Sequence, residues 1–478
     1  MRRAATGLTG AGAVLALLAG YAGLDVAGAV PGPLTTAAPP TAAPLPTAPA
    51  AAVPDATAAP VLPAPDTAAP VPAPAALERR TAAALADPAL GGAPAAEVAD
   101  ALTGERLLSR EAAGPRAPAS VTKLLTAAAA LSALGPTSRA ATTVVAGEAP
   151  GQVVLRAGGD VLLAAGAGDP DAVAGHAGLA DLAAATAAAL RTGAGGAGAG
   201  GAVTVLLDDG AFTGPAVSPG WAGGDVAAGY VAPIAPVAVD EGRLAPGPSA
   251  PRAPDPALAA ARTFARLLGE RGVALASGAV ARAAAAPGAR ELARVESATT
   301  AEQVELMLTD SDNTLAEVLG RRVALAAGRP GTFDDASTAV TDAVAALGVD
   351  TTGVLLQGVS GLGRGTRLPA RVLTDLLVLA ASPEHPELSA LVSGLPVAGV
   401  TGTLTDRYGG EGAPAAGVVR AKTGTLTGVS SLAGYVRDAD GRLLAFAVLS
   451  DTVPAGASWG ARRAEDRFAA ALAACGCS

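Results

Sequence analysis

Pro118-Ala119-Ser120-Val121-Thr122-Lys123, followed by an Ala/Leu-rich run, is the stretch from which the rest of the chain can be read. A helix opening at Ser120 puts Lys123 one turn on, on the same face, with its amine in reach of the hydroxyl. A serine is a poor nucleophile until a base takes its proton. A lysine is that base only when neutral, and burial or a second nearby cation favours the neutral form. The start of the helix also offers backbone N–H groups to a developing oxyanion. Alone, Ser-x-x-Lys says little, because an N-cap serine followed by a surface lysine explains it equally.

Two further stretches change that balance. Ser311-Asp312-Asn313 falls on a break between the helical patterns Glu302–Leu308 and Thr314–Leu325. All three residue types favour helix N-caps. The functional alternative makes Ser311 a proton relay and has Asn313 hold Lys123 and a substrate amide. Lys422-Thr423-Gly424-Thr425 lies within a strand pattern. A lysine beside an exposed strand edge can bind a carboxylate, Thr423 adds a hydroxyl contact, and Gly424 lets a substrate backbone come close.

The rare residues tie the three stretches together. Lys123 and Lys422 are the only lysines in the chain, and Asn313 is the only asparagine. Elsewhere a positive charge is written as Arg or His, so the two positions that stay Lys point to chemistry a guanidinium cannot perform, namely losing a proton at working pH. The formal net charge is -9, and no basic cluster stands out. That excludes nucleic acid as a partner, since phosphate binding needs a concentrated basic surface. No metal-ligand spacing is present, and no cofactor is expected. Cys475 and Cys477 are separated by one glycine. A bridge that short is expected to be strained, which leaves free thiols or an intermolecular bond.

The 478 residues, half of them hydrophobic, suffice for more than one packed core. Residues 1–30 carry Arg2 and Arg3 ahead of an apolar run, as in a signal peptide or an N-terminal membrane anchor. Residues 31–75 are almost entirely Ala, Pro and Thr and cannot pack a core. Such a linker reaches roughly 130 Å if it is extended polyproline. Both features predict an extracytoplasmic protein, secreted or held at the membrane. A globular part is expected from about Ala76. Its helices are predicted at Leu77–Ala86, Leu258–Arg271, Ala336–Leu347 and Ser458–Ala474, with paired strands around Thr103-Gly104. Residues 141–295 alternate short strands, Gly-rich turns (193–201) and helices, and read as an inserted unit. Near the end, Val418–Gly424, Ser431–Arg437 and Arg442–Ser450 predict three strands, the last two joined by a hairpin. Strands at both ends with helices between them predict an α/β (α+β) body interrupted by an insert.

In this order, Ser-x-x-Lys, Ser-x-Asn and Lys-Thr-Gly resemble the serine β-lactamases and penicillin-binding proteins. The long gap from Ser120 to Ser311 is similar to the class C low-molecular-mass penicillin-binding proteins, which insert extra domains there. Thr122–Ala130, Ser311–Glu317 and Arg420–Tyr435 fit as well. The resemblance implies a transpeptidase-type domain in residues 76–140 and 296–478. It implies a serine D-alanyl-D-alanine carboxypeptidase/endopeptidase acting on peptidoglycan stem peptides, with β-lactams as covalent inhibitors. It makes Ser120 the nucleophile, Lys123 its base, and Ser311 and Asn313 the proton-transfer side. Lys422 and Thr423 then face the substrate carboxylate, and the amides of Ser120 and Thr425 form the oxyanion hole. The family's Asp-Gly-Ser-Gly-Leu-Ser-Arg-like stretch stands here as Gly358–Arg364, with the Asp and the second Ser replaced. Arg364, and Asp160 in Gly158-Gly159-Asp160, are implied as side-chain specificity residues.

Other readings fit less well. A β-lactamase needs neither the insert nor the tether. A catalytically silent wall-binding protein has no reason to keep Ser120, Lys123 and Asn313. A Ser-His-Asp hydrolase lacks its Gly-x-Ser-x-Gly elbow, and the chain has only two histidines.

Overall fold

The computed structural model describes residues 19–22, 24, 26, 66–193, 201–278 and 280–477. Most of the predicted leader, the predicted linker up to residue 65, and the Gly-rich turn from 194 to 200 lie outside them. In the N-terminal unit, 1–64, the described residues are helical. Among the described residues, no helix is long and apolar enough to cross a membrane.

The unit from Pro65 onward runs in this order: α1 (Pro74–Leu85), β1 (Ala95–Asp100), β2 (Arg106–Arg110), α2 (Lys123–Leu134), β3 (Ala141–Ala146), β4 (Gln152–Arg156), β5 (Asp160–Leu163), α3 (Leu179–Arg191), β6 (Thr204–Asp208) and β7 (Val237–Val239). It continues through α4 (Pro256–Glu270), β8 (Ala281–Arg282), β9 (Glu291–Glu296), α5 (Thr300–Asp310), α6 (Asn313–Ala326), α7 (Phe333–Ala346) and α8 (Ala370–Ala381). Strands β10 (Arg420–Leu426), β11 (Val429–Arg437) and β12 (Leu443–Ser450) precede α9 (Ser458–Ala473). The main sheet is antiparallel in the order β10-β11-β12-β1-β2, so β10 is an edge.

The period-2 pattern of β12 builds both sides of this sheet. Leu444, Phe446 and Val448 pack with Leu77, Leu85, Phe468 and Leu472 of α1 and α9. Ala445, Ala447 and Leu449 face the opposite core with Leu373, Leu376 and Leu377 of α8. Small alanines on that face leave room for the helix. Behind the sheet, α2 is buried all round from Lys123 to Leu131, as its uninterrupted apolar sequence requires. Burying each of Leu124, Leu125 and Leu131 contributes roughly 1.5–3 kcal/mol.

A second five-stranded sheet, β8-β6-β4-β3-β9, takes all its strands from residues 141–296. Helices α3 and α4 share its core through Leu179, Leu182, Phe264 and Leu268. A parallel pair, β5 and β7, lies in the same stretch.

Two expectations are corrected. Packed chain begins before Ala76: the carbonyls of Thr67 and Ala69 accept hydrogen bonds from Arg442 Nη1 at 3.0 and 3.2 Å, and Ala73 N donates to Cys477 O at 2.9 Å. Cys475 and Cys477 are bridged to each other. The turn after α9 holds their Cα atoms 5.1 Å apart, within disulfide range, so free thiols and an intermolecular bond are both set aside.

The approach of α6 to the loop at 358–360 depends on Gly320, where a Cβ would sit 2.5 Å from Val359 Cγ2. Gly320→Ala is expected to lower stability by about 1–3 kcal/mol through overpacking, although Ala is the better helix former by about 1 kcal/mol. Guanidinium unfolding checks this, and a raised midpoint would contradict the packing.

Candidate active site

Three local features bring the motifs to one place. Ser120 sits on a 3₁₀ turn, Ala119–Thr122, which runs directly into α2. Ala119 has φ 49°, unusual for a residue with a side chain. Thr122 Oγ1 donates to Ala119 O at 2.8 Å, and Ser431 Oγ of β11 donates to Pro118 O at 2.5 Å. The turn is therefore tied to both the central helix and the sheet.

Strand β10 passes just beside it. A Cβ at Gly424 would collide with Ser431 Oγ and Pro118 O and lie 3.1 Å from Ser120 N. Only glycine lets this edge strand lie so close to the serine.

The third feature is the break between α5 and α6. Ser311 ends α5 in the left-handed region, φ 59°. Asp312 caps α6 by accepting from Leu315 N at 2.8 Å. Capping and chemistry are thus divided between neighbours: Asp312 holds the break, while Ser311 and Asn313 turn to the two lysines.

Both lysines have no solvent exposure. Lys123 Nζ lies 2.6 Å from Asn313 Oδ1, 2.7 Å from Ser360 O and 3.1 Å from Ser120 Oγ. A neutral amine has two N–H groups and one lone pair. Two donations to the amide and carbonyl oxygens leave the lone pair for the serine hydroxyl. Burial is the main influence on Lys123 and pulls its pKa down to about 7, against the opposing pull of Asp312 and Glu317. Asn313 Nδ2 donates to Tyr230 O at 2.9 Å, which fixes its oxygen towards Lys123. Lys422 Nζ donates to Ser311 Oγ at 2.8 Å and to Thr423 O at 3.0 Å. Burial first, and the charge of Lys123 second, hold Lys422 well below the ordinary lysine range.

Ser120, Ser311, Thr423 and Thr425 line one cleft of about 830 Å³. Gly424 lies between the two threonines on β10. The two implied specificity residues stand apart from this cleft wall. Asp160 is buried on β5, bonded to Leu162 N at 2.9 Å, with Arg322 of α6 as a neighbouring charge. Its carboxylate is almost wholly enclosed, with 2% of the residue exposed. Arg364 lines a separate, smaller pocket with Ala119 and Asp451.

Sequence reasoning missed the groups behind Lys123. Glu317 is buried and accepts from Ser360 Oγ at 2.6 Å, Ser360 N at 3.0 Å and Val359 N at 3.2 Å. Its carboxylate organises the loop whose Ser360 carbonyl meets the amine. Val359 O also accepts from Thr126 Oγ1 of α2 at 2.6 Å. The altered stretch Gly358–Arg364 thus acts through its backbone and the Ser360 hydroxyl, both untouched by the two replacements. Glu317, one helical turn beyond Asn313, was the available signal.

A model of the D-Ala-D-Ala carboxypeptidase 3 (S13) family matches residues 77–250 and 244–472. The chain is 40% identical over 418 residues to Carboxypeptidase DacB of Mycolicibacterium smegmatis, covering 85% of this chain and 86% of that protein. It is 31% identical over 437 residues to D-alanyl-D-alanine carboxypeptidase of Actinomadura sp., covering 77% and 80%. Penicillin binding protein 4 of Haemophilus influenzae superposes with TM-score 0.66 at 21% identity, covering 84% of this chain and 98% of that one. The same protein complexed with a β-lactam gives 0.60 at 20% identity, covering 82% and 98%. The fold anticipated from the three motifs is therefore shared with a penicillin-binding protein. With the family model spanning residues 77–472 and relatives matched along most of their length, the chain belongs to the D-Ala-D-Ala carboxypeptidase 3 (S13) family.

Proposed function

We propose that this chain is a serine-type D-alanyl-D-alanine carboxypeptidase/endopeptidase that cleaves peptidoglycan stem peptides outside the cytoplasm through an acyl-enzyme on Ser120. The observation that carries this is the buried Lys123 amine, 3.1 Å from Ser120 Oγ and held from behind by Asn313 and Ser360.

Ser120 Oγ attacks the carbonyl between the two D-alanines, and its proton passes to the Lys123 lone pair. The oxyanion rests on backbone amides, which this reading assigns to Ser120 and Thr425. As the C–N bond breaks, Lys123 gives that proton up to the leaving amine through Ser311, which Lys422 holds by hydrogen bond, and is neutral again. Water then attacks the ester and gives a proton to Lys123, and as the C–O bond breaks Lys123 returns that proton to Ser120 Oγ. No step calls for a metal or cofactor. β-Lactams, one of which is bound in the Haemophilus influenzae relative, acylate Ser120 and leave a slowly hydrolysed ester. In this reading residues 76–140 and 296–478 form the catalytic body and 141–295 an insert. Residues 1–30 export the chain or anchor it to the membrane, with the linker from 31 to about 65 as the tether.

A fluorescent penicillin should label the native protein in a form that survives denaturation, and Ser120→Ala should abolish the label. A folded native protein that takes no label contradicts the acyl-enzyme and favours a silent wall-binding role. Lys123→Arg, whose guanidinium stays charged, should slow acylation by about 10²-fold or more with folding retained by circular dichroism. Because the amine acts when neutral, and its pKa is pulled down to about 7, acylation should accelerate as pH rises towards 7 and level off above it. Stopped-flow labelling between pH 5 and 9 checks the sign; a rate that falls over this range would exclude a lysine base.

A further inference from the structure

The break that carries Ser311 and Asn313 is gripped from outside the three motifs, by residues 230–243 of the stretch that carries the second sheet. Tyr230 O accepts from Asn313 Nδ2 at 2.9 Å, and Ala232 N donates to Thr314 Oγ1 at 3.0 Å. The third contact is ionic. Arg243 Nη2 lies 3.6 Å from Oδ2 of Asp312, the residue between Ser311 and Asn313. Asp312 makes no other ion pair among the described residues. The two side chains are only 17% and 12% exposed, so salt and water screen this pair much less than one at the surface.

The loop between β7 and α4 is strained in placing that guanidinium. Asp240 and Glu241 both adopt left-handed backbone, φ 43° and 51°, which residues with side chains rarely do. Such strain persists only where the surroundings hold it. Arg252 does so here. Its buried guanidinium donates to Glu241 O and Glu241 Oε2, both at 3.3 Å, and to Gly229 O at 3.1 Å. The backbone closes the loop as well, Ala253 N donating to Gly242 O at 2.7 Å and Leu244 N to Pro251 O at 2.9 Å. Arg243 is then fixed by the acids beside it. Its Nη1 lies 2.8 Å from Asp240 Oδ1, and its Nη2 lies 3.3 Å from the same Glu241 oxygen that Arg252 holds.

What Arg243 holds matters to the base. Two carboxylates favour a charged Lys123, Asp312 more strongly than Glu317, while Lys422 is the neighbouring cation. Around Asp312 stand Glu241, Arg243, Arg252, Asp240 and Asp310. Burial first and Asp312 second push the buried Glu241 carboxyl up, against the pull of Arg243 and Arg252. A fixed guanidinium against Asp312 offsets the field of its carboxylate at the amine. We propose that Arg243 is a positioning residue for the Lys123 base: it anchors the Asp312 carboxylate at the Ser311–Asn313 break and offsets its charge, so that the stretch carrying the second sheet helps to set the proton transfer. This rests on the acyl-transfer reading and deepens it. Arg243 acts through Asp312 and carries no proton itself.

The test follows acylation by a fluorescent penicillin between pH 5 and 9 in the native protein, Arg243→Gln, Arg243→Lys and Asp312→Asn. In Arg243→Gln the uncompensated Asp312 carboxylate favours the charged amine, so the inflection should move up by about half a unit or more. Acylation at pH 6 should then slow by about threefold or more, and the plateau at pH 9 should change less. Arg243→Lys keeps a cation and should bring the inflection most of the way back. Asp312→Asn, which can still cap α6, should move the inflection down, and adding Arg243→Gln to it should shift it little further. A merely structural role would slow acylation equally at every pH and leave the inflection in place, which overturns the proposal; so does a downward shift in Arg243→Gln, or a lysine that restores nothing. If Arg243→Gln does not fold, Asp312→Asn decides, and an inflection at or above the native one overturns the proposal. A native protein that takes no label, or whose labelling shows no inflection in this range, sinks the reading this rests on and the proposal with it. A native inflection near pH 7 that every variant leaves in place sinks this proposal alone.

Discussion

The structure turns on a lysine amine kept out of water at the start of the central helix. Removing an ammonium from water costs several kcal/mol unless its charge is matched nearby. The groups touching Lys123 Nζ are an amide oxygen, a backbone carbonyl and a hydroxyl, with no carboxylate among them. Asp312 and Glu317 act on it only as nearby charges, and burial outweighs them. An amine in that setting gives up its proton near neutral pH and becomes a base. Arginine could not do so, and this explains why a chain that otherwise uses arginine keeps lysine here.

Keeping the amine dry and aimed accounts for much of the surrounding architecture. Helix α2 is enclosed by α5, α6, α7 and α8, so Lys123 starts inside the core. Glu317 on α6 fastens the loop that supplies the Ser360 carbonyl. Tyr230, from the stretch carrying the second sheet, fixes the Asn313 amide through its carbonyl. The serine turn adopts a left-handed residue at Ala119, and Gly361 and Gly424 pack against that turn where any side chain would collide. The strain at Ala119 is confined to the residue before the nucleophile, where it aims the hydroxyl at the amine.

Much of this was legible in the sequence because composition made the exceptions visible. Two lysines and one asparagine named three corners of the site, and the apolar run after Lys123 announced a buried helix. Strand boundaries of β11 and β12 followed from apolar runs interrupted by the Asp438–Gly441 turn. What stayed hidden depends on contacts far apart in sequence. Glu317 reads as an ordinary helical acid until Ser360 is placed against it. Asp160 reads as an accessible acid until β5 buries it. The disulfide was misjudged because sequence separation alone stood in for the geometry of a turn.

The central claim is that the lysine amine is neutral at working pH. Because Lys123 and Lys422 are the only lysines in the chain, selectively labelled lysine gives just two side-chain signals in an NMR titration. The account predicts one signal titrating near pH 7 and neither in the ordinary lysine range around 10.4. Two signals titrating near 10 would show both amines charged in the folded protein, and Lys123 could not then serve as the base.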